Sequence, residues 1–294
     1  MQSPYKRIVV YDLETGGLSH KHNSITEMAA VVIDLENLEI IEEFSTMIKP
    51  RIDLSYRELD PLKEAKAVFN MLKTKDAESN MNTLGYRGVQ ITLKNLEPLV
   101  EDISTFYDYI DEVGDVFEYE DILKLEARED LGDIVRLYFN KTYNPQALEV
   151  THISRDMIVS EGVSQLEAFE EFSKLLVRHT IANSKPILAG HNIKKFDNPF
   201  MERFFNSNEK DLYKYISDTQ MIDTLEWARL RWFELSGYNL GICANEVGLT
   251  LKEAHRALPD TVANAKFLIK LLKGLRGEGS QASTYKKRKF SFNF

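Results

Sequence analysis

Two carboxylates stand two residues apart at the end of an apolar run near the start of the chain. The run 8–11 (Ile-Val-Val-Tyr) is followed by Asp12-Leu13-Glu14. Side chains at positions i and i+2 of a strand point to the same face. Two carboxylates there are costly to bury unless a cation compensates their charge, and hard divalent ions such as Mg²⁺ suit them. Asp12 and Glu14 are therefore candidate metal ligands; the alternative is a solvated strand end.

A third carboxylate lies in the segment 190–197 (Gly-His-Asn-Ile-Lys-Lys-Phe-Asp). This segment falls where a predicted strand passes into a helix, which is where α/β sheets usually form ligand sites. Asp197 is expected either to join the metal site or to cap the helix that follows. His191 and Asn192 are candidates for lining the site, and they can equally well fix the loop through hydrogen bonds.

The segment 255–260 (His-Arg-Ala-Leu-Pro-Asp) contributes a histidine and a fourth carboxylate. Asp260 is predicted in the first turn of the last helix, where the helix dipole favours a negative charge in any case. His255 precedes that helix, and a histidine with an ordinary pKa of about 6.5 can accept a proton near neutral pH. Each residue taken singly has a structural or surface alternative.

The five side chains together indicate a specific chemistry. Four carboxylates and one histidine, each at the end of a predicted element, are what two-metal phosphodiester hydrolysis requires. Two ions about 3.5–4 Å apart activate water and stabilise the leaving oxygen, while a general base takes the proton of the water.

The elements that must position these residues follow from the hydrophobic pattern. Three strands with short links predict an antiparallel meander at the start, and helices then alternate with strands, which predicts an α/β fold with a mixed central sheet. The predicted strands are 8–11, 28–34, 40–48, 89–93, 186–190 and 215–222. The predicted helices are 164–179, 198–205, 224–233, 240–247 and a last one that begins near Pro259 and ends before Gly274.

The negative charge of the chain is confined to its middle. Residues 51–150 hold 21 acidic and 12 basic side chains, which accounts for the whole formal charge of −9. The flanking parts are neutral overall, so a polyanion can still bind them. Apolar residues recur at helical spacing in this acidic block. We expect a discontinuous domain of residues 1–50 and 148–275, a mostly helical insertion of 51–147, and a flexible basic and aromatic tail of 276–294.

Composition excludes several classes of protein. With 43% hydrophobic and 28% charged residues, the chain is neither collagen-like nor wholly disordered. Its apolar runs are too short for a membrane span, and its start lacks the pattern of a signal peptide. The single cysteine, Cys243, provides no internal disulfide, so a soluble, cytoplasmic protein is expected.

Three motifs, in this order, resemble those of the DEDDh (DnaQ-like) 3′→5′ exonucleases, which include polymerase proofreading subunits, RNase T and oligoribonuclease. They are Tyr11-Asp12-Leu13-Glu14-Thr15-Gly16-Gly17-Leu18, the segment 190–197, and the pair His255 and Asp260. The resemblance implies an RNase H-like fold, with a mixed central β-sheet flanked by helices and a mainly helical insertion after the third strand.

The same resemblance implies roles for individual residues. Asp12, Glu14, Asp197 and Asp260 would hold two Mg²⁺ or Mn²⁺ ions, and His255 would be the general base. The substrate would be a single-stranded or frayed 3′ end, contacted by Thr15, Leu18, His191, Asn192 and Phe196.

Three questions stay open: the substrate, the role of the insertion and the role of the tail. The substrate is expected to be DNA, with an exoribonuclease of the RNase T or oligoribonuclease kind as the alternative and a non-catalytic nucleic-acid-binding adaptor as a third reading. The insertion is expected to narrow the cleft and exclude duplex, to bind a basic protein partner, to mediate an oligomer contact, or to be a solvated decoration. The tail either attracts phosphates, adds a strand to a protein partner, or is a solubilising end.

Overall fold

The computed structural model describes residues 5–72, 83–217, 221–250 and 256–278. The predicted general base His255 and almost all of the predicted tail lie outside the described residues. None of the described helices is long and apolar enough to cross a membrane.

A five-stranded mixed sheet forms the centre of the molecule, as predicted. The strands are β1 (Arg7–Thr15), β2 (Ile25–Asp34), β3 (Glu39–Met47), β8 (Ile187–Gly190) and β9 (Met221–Asp223). Their order in the sheet is β3-β2-β1-β8-β9. β2 pairs antiparallel with both β1 and β3, whereas β8 pairs in parallel with both β1 and β9.

The central strand β1 is buried on both faces, and its alternate residues pack in two different cores. Val9 and Tyr11 pack in one core, together with residues of α7 (Gln165–Arg178) and α8 (Asp197–Asn206). Ile8 and Val10 pack in the other core, against α11 (Ala257–Leu275). Because strand side chains alternate, Asp12 and Glu14 continue the series of Ile8 and Val10 and face the side of α11.

Helices cover the sheet close to the predicted positions. The side chain of Ser164 caps α7 by accepting a hydrogen bond from the backbone N–H of Glu167. The helices α9 (Thr224–Arg231) and α10 (Leu240–Glu246) follow β9, whereas α6 (Arg155–Ser160) packs through Ile158 in the core of the acidic block.

Two predicted boundaries were wrong. The last helix continues through Gly274 to Leu275, because its buried face, including Leu268 and Leu271, outweighs the cost of about 1 kcal/mol of one helical glycine. Among the described residues of the predicted strand 215–222, only Met221 and Ile222 lie in a strand, β9, which continues to Asp223, whereas Tyr215 ends a 3-10 turn at Leu212–Lys214. The Asp211 carboxylate caps that turn by accepting from the N–H of Tyr213.

The acidic block after β3 is mainly helical, as predicted, and has its own hydrophobic core. A buried ion pair between Glu64 and Lys141 connects two of its helices. Its elements are β4 (Arg51–Asp53), α1 (Pro61–Leu72), β5 (Leu84–Tyr86), β6 (Val89–Ile91), α2 (Glu97–Val113), β7 (Val116–Glu118), α3 (Tyr119–Glu126), α4 (Gly132–Thr142) and α5 (Pro145–Thr151).

Candidate active site

Three carboxylates meet where the end of β1 faces the first turn of α11. Asp12, Glu14 and Asp260 each offer a carboxylate oxygen, and these oxygens lie within 4.8 Å of one another. Asp260 is far along the chain from Asp12 and Glu14. It lies in the first turn of α11, as the sequence predicted. All three side chains are partly exposed, so an ion from solvent can reach them.

The fourth predicted carboxylate, Asp197, lies beside the same strand. Asp197 is the first residue of α8 and is 3% exposed. One of its carboxylate oxygens accepts a hydrogen bond of 3.2 Å from the backbone N–H of Leu13. The N-cap position of α8 is Phe196, so the structure does not favour the capping role that was the alternative for Asp197.

Mutual repulsion and burial raise the pKa values of these carboxyl groups. Burial is the largest cause for Asp12, whose pKa rises to about 7 with further contributions from Asp260 and Glu27. The pKa of Glu14 rises to about 8, first through burial and then through the charges of Asp12 and Asp260. Burial, followed by the charge of Asp12, raises the pKa of Asp197 well above its usual range.

These properties fit a site for hard divalent cations. Carboxylate oxygens are the ligands that Mg²⁺ and Mn²⁺ prefer. Uncompensated carboxylates so close together are unfavourable, as the raised pKa values of Asp12 and Glu14 indicate, and a bound cation would remove that penalty. Asp12, Glu14 and Asp260 would hold such an ion directly. Within the described residues Asp197 is not a member of this close group, and it contacts β1 through the hydrogen bond from Leu13.

The loop 191–196 between β8 and α8 is held by polar contacts to the next strand and helix. Asp223 is buried and accepts hydrogen bonds from the backbone N–H groups of Asn192 at 3.0 Å and Lys194 at 3.4 Å. Asn192 has a left-handed backbone with φ of 64°, which asparagine tolerates better than most residues. Asp223 thus has a structural role in holding this loop.

His191 lies in the same loop, and both of its ring nitrogens have partners within the protein. Nδ1 is 3.0 Å from Thr224 Oγ1, and Nε2 is 2.7 Å from the carbonyl oxygen of Tyr238. Burial lowers the pKa of His191, so the ring is neutral near pH 7. These contacts support the loop-fixing alternative for His191 more than direct contact with a substrate.

An open cleft of about 520 Å³ begins at Glu14 and extends away from the carboxylates. The predicted binding residues Thr15, Leu18 and Phe196 line it, and Leu18 is 87% exposed. His191 and Asn192 are not among its lining residues within the described part of the chain. The cleft is also lined by α5, including Gln146 and Val150, and by Met71 at the end of α1.

The turn that carries Leu18 is fixed by the end of α4. The backbone N–H of Asn144 donates to the carbonyl oxygen of Gly16 at 2.7 Å. The side-chain amide of Asn23 donates to the carbonyl of Lys141 at 2.8 Å. A Cβ atom on Gly16 would lie 2.3 Å from the carbonyl oxygen of Thr142, so only glycine fits this close approach.

Sequence reasoning missed two residues beside this site. Met71 lines the cleft although it lies in the acidic insertion, and no spacing rule could have placed it there. Glu27 lies opposite Glu14 in the strand pair and is buried. The available signal for Glu27 was a carboxylate that precedes a run of six apolar residues in the same strand.

Comparisons with known proteins agree with this geometry. Residues 9–57 and 121–268 match the family model of the RNase T group, described as Exonuclease. The DNA polymerase III PolC-type of Bacillus cereus is 27% identical over 187 residues, which are 62% of this chain and 12% of that protein. The chain thus spans a small part of the length of the curated relatives it matches.

Solved structures show the same fold at low sequence identity. The zinc-bound form of the E. coli Exonuclease I complex with single-stranded DNA has a TM-score of 0.54 and 15% identity, covering 93% of this chain and 41% of that one. A 3′-exonuclease that recognises the histone mRNA stem-loop has a TM-score of 0.50 and 12% identity, covering 93% of this chain and 65% of that one. With its family-model match over more than half of its length, the chain belongs to the RNase T-type exonuclease family, whose DEDDh members its motifs resemble.

Proposed function

We propose that this protein is a metal-dependent 3′→5′ exonuclease that releases nucleoside monophosphates from single-stranded or frayed 3′ ends. The observation that carries this proposal is the group of Asp12, Glu14 and Asp260, whose carboxylate oxygens lie within 4.8 Å of one another. Membership of the exonuclease family agrees with it.

The residues of the chain have distinct roles in the proposed reaction. Two divalent ions, Mg²⁺ or Mn²⁺, would supply activation of water and stabilisation of the leaving oxygen. Asp12, Glu14, Asp197 and Asp260 would hold them. His255 would accept the proton of the attacking water as the new bond from oxygen to phosphorus forms. The bond from phosphorus to the 3′ oxygen of the preceding nucleotide breaks, and that oxygen takes up a proton.

The cleft beside Glu14 is suited to the terminal nucleotide. Leu18 and Val150 present exposed apolar surface to it, and Phe196 adds an aromatic side chain. Aromatic and apolar surfaces stack on unpaired bases with little regard to sequence. We propose that the last base lies between Leu18 and α5, with Thr15 near its sugar.

The acidic insertion is proposed to act as a wall that favours unpaired ends. Met71, at the end of α1, lines the cleft, and the negative charge of this block repels a second phosphate backbone. The two segments matched by the family model leave residues 58–120 between them. We therefore propose that the inserted part is narrower than 51–147, because α4 and α5 help to form the cleft.

DNA is the proposed substrate, and RNA is the alternative. The polymerase relative favours DNA, whereas the fold is shared by an enzyme bound to single-stranded DNA and by one that recognises an mRNA stem-loop. A non-catalytic adaptor is less favoured, since all four carboxylates and His255 are present. A protein partner at the insertion or tail and a cytoplasmic location stay predictions.

Digestion of oligonucleotides labelled at the 5′ end tests the proposal. Single-stranded DNA and RNA of the same sequence are incubated with Mg²⁺, with Mn²⁺ and with EDTA, using the wild type and Asp12→Asn. A ladder shortening from the 3′ end, absent with EDTA and with the variant, is expected. No shortening of either polymer with either ion would refute the proposal, and faster digestion of RNA would select the alternative.

A further inference from the structure

Glu27 makes a three-point contact with the start of the helix that carries Asp260. Its carboxylate accepts two hydrogen bonds from the guanidinium of Arg256, at 3.1 and 3.0 Å. It also accepts a third bond of 3.1 Å from the backbone N–H of Ala257. Glu27 is 3% exposed, so these bonds form largely away from water, where a charged hydrogen bond is strong.

The contact replaces a local helix cap. Ala257 is the first residue of α11, and the residue before it, Arg256, has an extended backbone and provides no side-chain cap. Most helices satisfy their first N–H groups with a nearby Ser, Thr, Asp or Asn. Here the acceptor comes from β2, 230 residues earlier in the chain. The position of the first turn of α11 is therefore set by the sheet.

The sheet residue that does this is paired directly with a proposed metal ligand. Glu27 on β2 lies opposite Glu14 on β1 in the antiparallel register. Asp260, in the first turn of α11, is three residues after Ala257. One carboxylate thus connects the strand that carries Asp12 and Glu14 to the helix turn that carries Asp260.

We propose that Glu27 is a positioning residue for the metal site, acting through Arg256 and Ala257 to hold Asp260 beside Asp12 and Glu14. This inference rests on the proposed function. Glu27 is not itself a proposed ligand, because its carboxylate oxygens are already engaged by Arg256 and Ala257. The guanidinium of Arg256 also lowers the pKa of Glu14, opposing the effect of the neighbouring carboxylates.

The test compares Glu27→Gln and Arg256→Met with the wild type in the full chain. Calorimetry measures Mn²⁺ affinity, thermal unfolding with and without Mn²⁺ measures the stabilisation by the ion, and oligonucleotide digestion gives kcat and KM. Residues that orient metal ligands typically contribute about 10–100-fold to metal affinity or activity. We expect losses of about that size in Mn²⁺ affinity and in kcat for both variants, with KM changed by less than about 2-fold.

The pair of Glu42 and Arg178 provides a matched control. Arg178 donates two hydrogen bonds to Glu42, which joins the end of α7 to β3, and neither residue lies among the proposed metal ligands. Glu42→Gln is expected to lower the unfolding temperature without changing Mn²⁺ affinity or kcat. If Glu27→Gln did the same, Glu27 would be merely structural and the inference would be overturned.

Two further outcomes separate this inference from the proposed function. A wild type that binds Mn²⁺ but digests no oligonucleotide would refute the exonuclease proposal, while the affinities of the variants would still test the role of Glu27. If Glu27→Gln does not fold, Arg256→Lys takes its place in the test. That variant keeps the positive charge and the hydrogen bond from the Ala257 N–H to Glu27, but it loses the two hydrogen bonds that the guanidinium donates to the carboxylate. Unchanged Mn²⁺ affinity and kcat in a folded Arg256→Lys protein would count against the proposal.

Discussion

The backbone N–H of Leu13 donates a hydrogen bond of 3.2 Å to the carboxylate of Asp197, a residue 184 positions later. Leu13 stands between Asp12 and Glu14, so this bond places Asp197 beside the strand end that bears both other carboxylates. Because the bond involves a backbone donor, the strand position fixes Asp197 whatever side chain occupies position 13. The geometry of the proposed metal site thus depends on the contact between β1 and α8.

Asp197→Asn should remove activity while leaving the fold intact. An asparagine oxygen can still accept the bond from Leu13, but the negative charge is lost. We expect a fall in kcat of at least about 100-fold with little change in unfolding temperature, measured by oligonucleotide digestion and calorimetry. Asp211→Asn, at an exposed cap, is the control. Activity within about 2-fold of wild type in Asp197→Asn would exclude Asp197 from the metal site.

The stability of the metal-free protein should fall as the pH rises. The pKa values of Asp12 and Glu14 rise from 3.8 and 4.5 to about 7 and about 8 in the folded state. At pH values between the lower, unfolded-state pKa and the higher, folded-state pKa, the folded state binds more protons than the unfolded state. The stability therefore decreases as the pH rises. We expect the unfolding temperature in EDTA to be lower at about pH 8.5 than at about pH 6, and Mg²⁺ to restore it at the higher pH.

The Asp12→Asn/Glu14→Gln variant provides the control for this pH dependence. It lacks both titrating carboxyl groups, so its unfolding temperature should decrease less over the same range, and Mg²⁺ should have little effect. Equal pH dependence in the variant and the wild type would show that other groups are responsible.

Leu18→Ala should weaken substrate binding without affecting stability. Leu18 is 87% exposed in the absence of substrate, so its truncation costs the folded protein little. Burial of a leucine side chain against a base is worth about 1.5–3 kcal/mol, which predicts a rise in KM of about 10-fold or more. Leu230→Ala, at a residue 76% exposed and outside the cleft, should leave KM unchanged. Equal KM values for both variants would remove Leu18 from the binding cleft.

Met71→Ala should reduce the preference for unpaired ends if the insertion forms a wall of the cleft. Removing this side chain widens the cleft that Met71 and Leu18 both line. We expect the ratio of single-strand to duplex digestion to fall by about 3-fold or more, which corresponds to about 0.65 kcal/mol or more. Leu62→Ala, on the same helix but lining a different groove, is the matched control. An unchanged ratio in Met71→Ala would argue that the insertion does not select substrates at this point.

Lys141→Met should destabilise the protein strongly. Lys141 and Glu64 form a fully buried ion pair, and removing one partner leaves an uncompensated charge. Such changes cost about 3–5 kcal/mol, to be measured as the free energy of unfolding in denaturant. Replacing both residues, as Glu64→Leu and Lys141→Met, should recover most of the loss. Failure of the double variant to recover would indicate that packing, and not the buried charge, accounts for the effect.

Predictions from the local sequence pattern were confirmed where a single strand or helix determined the position of the residues. The three meander strands, the helix predicted at 164–179 and the first-turn position of Asp260 follow from the local sequence pattern. Among its described residues, the strand predicted at 215–222 was right only at Met221 and Ile222, because a short segment of mixed apolar and polar residues does not distinguish a strand from a turn. His255 lies outside the described residues, so its role as general base stays a prediction.

The sequence by itself determined which residue types are available for the chemistry and the order in which they occur along the chain. Four carboxylates and a histidine at element ends predicted two-metal phosphodiester hydrolysis, which stays a prediction, and the resemblance of their motifs predicted the exonuclease family, which the family model confirms. The tertiary structure alone decided that Asp12, Glu14 and Asp260 meet, that His191 is engaged within its loop, and that Glu27 and Met71 lie beside the site. These relationships join residues far apart in the chain, and sheet register and helix packing, which no local spacing encodes, bring them together.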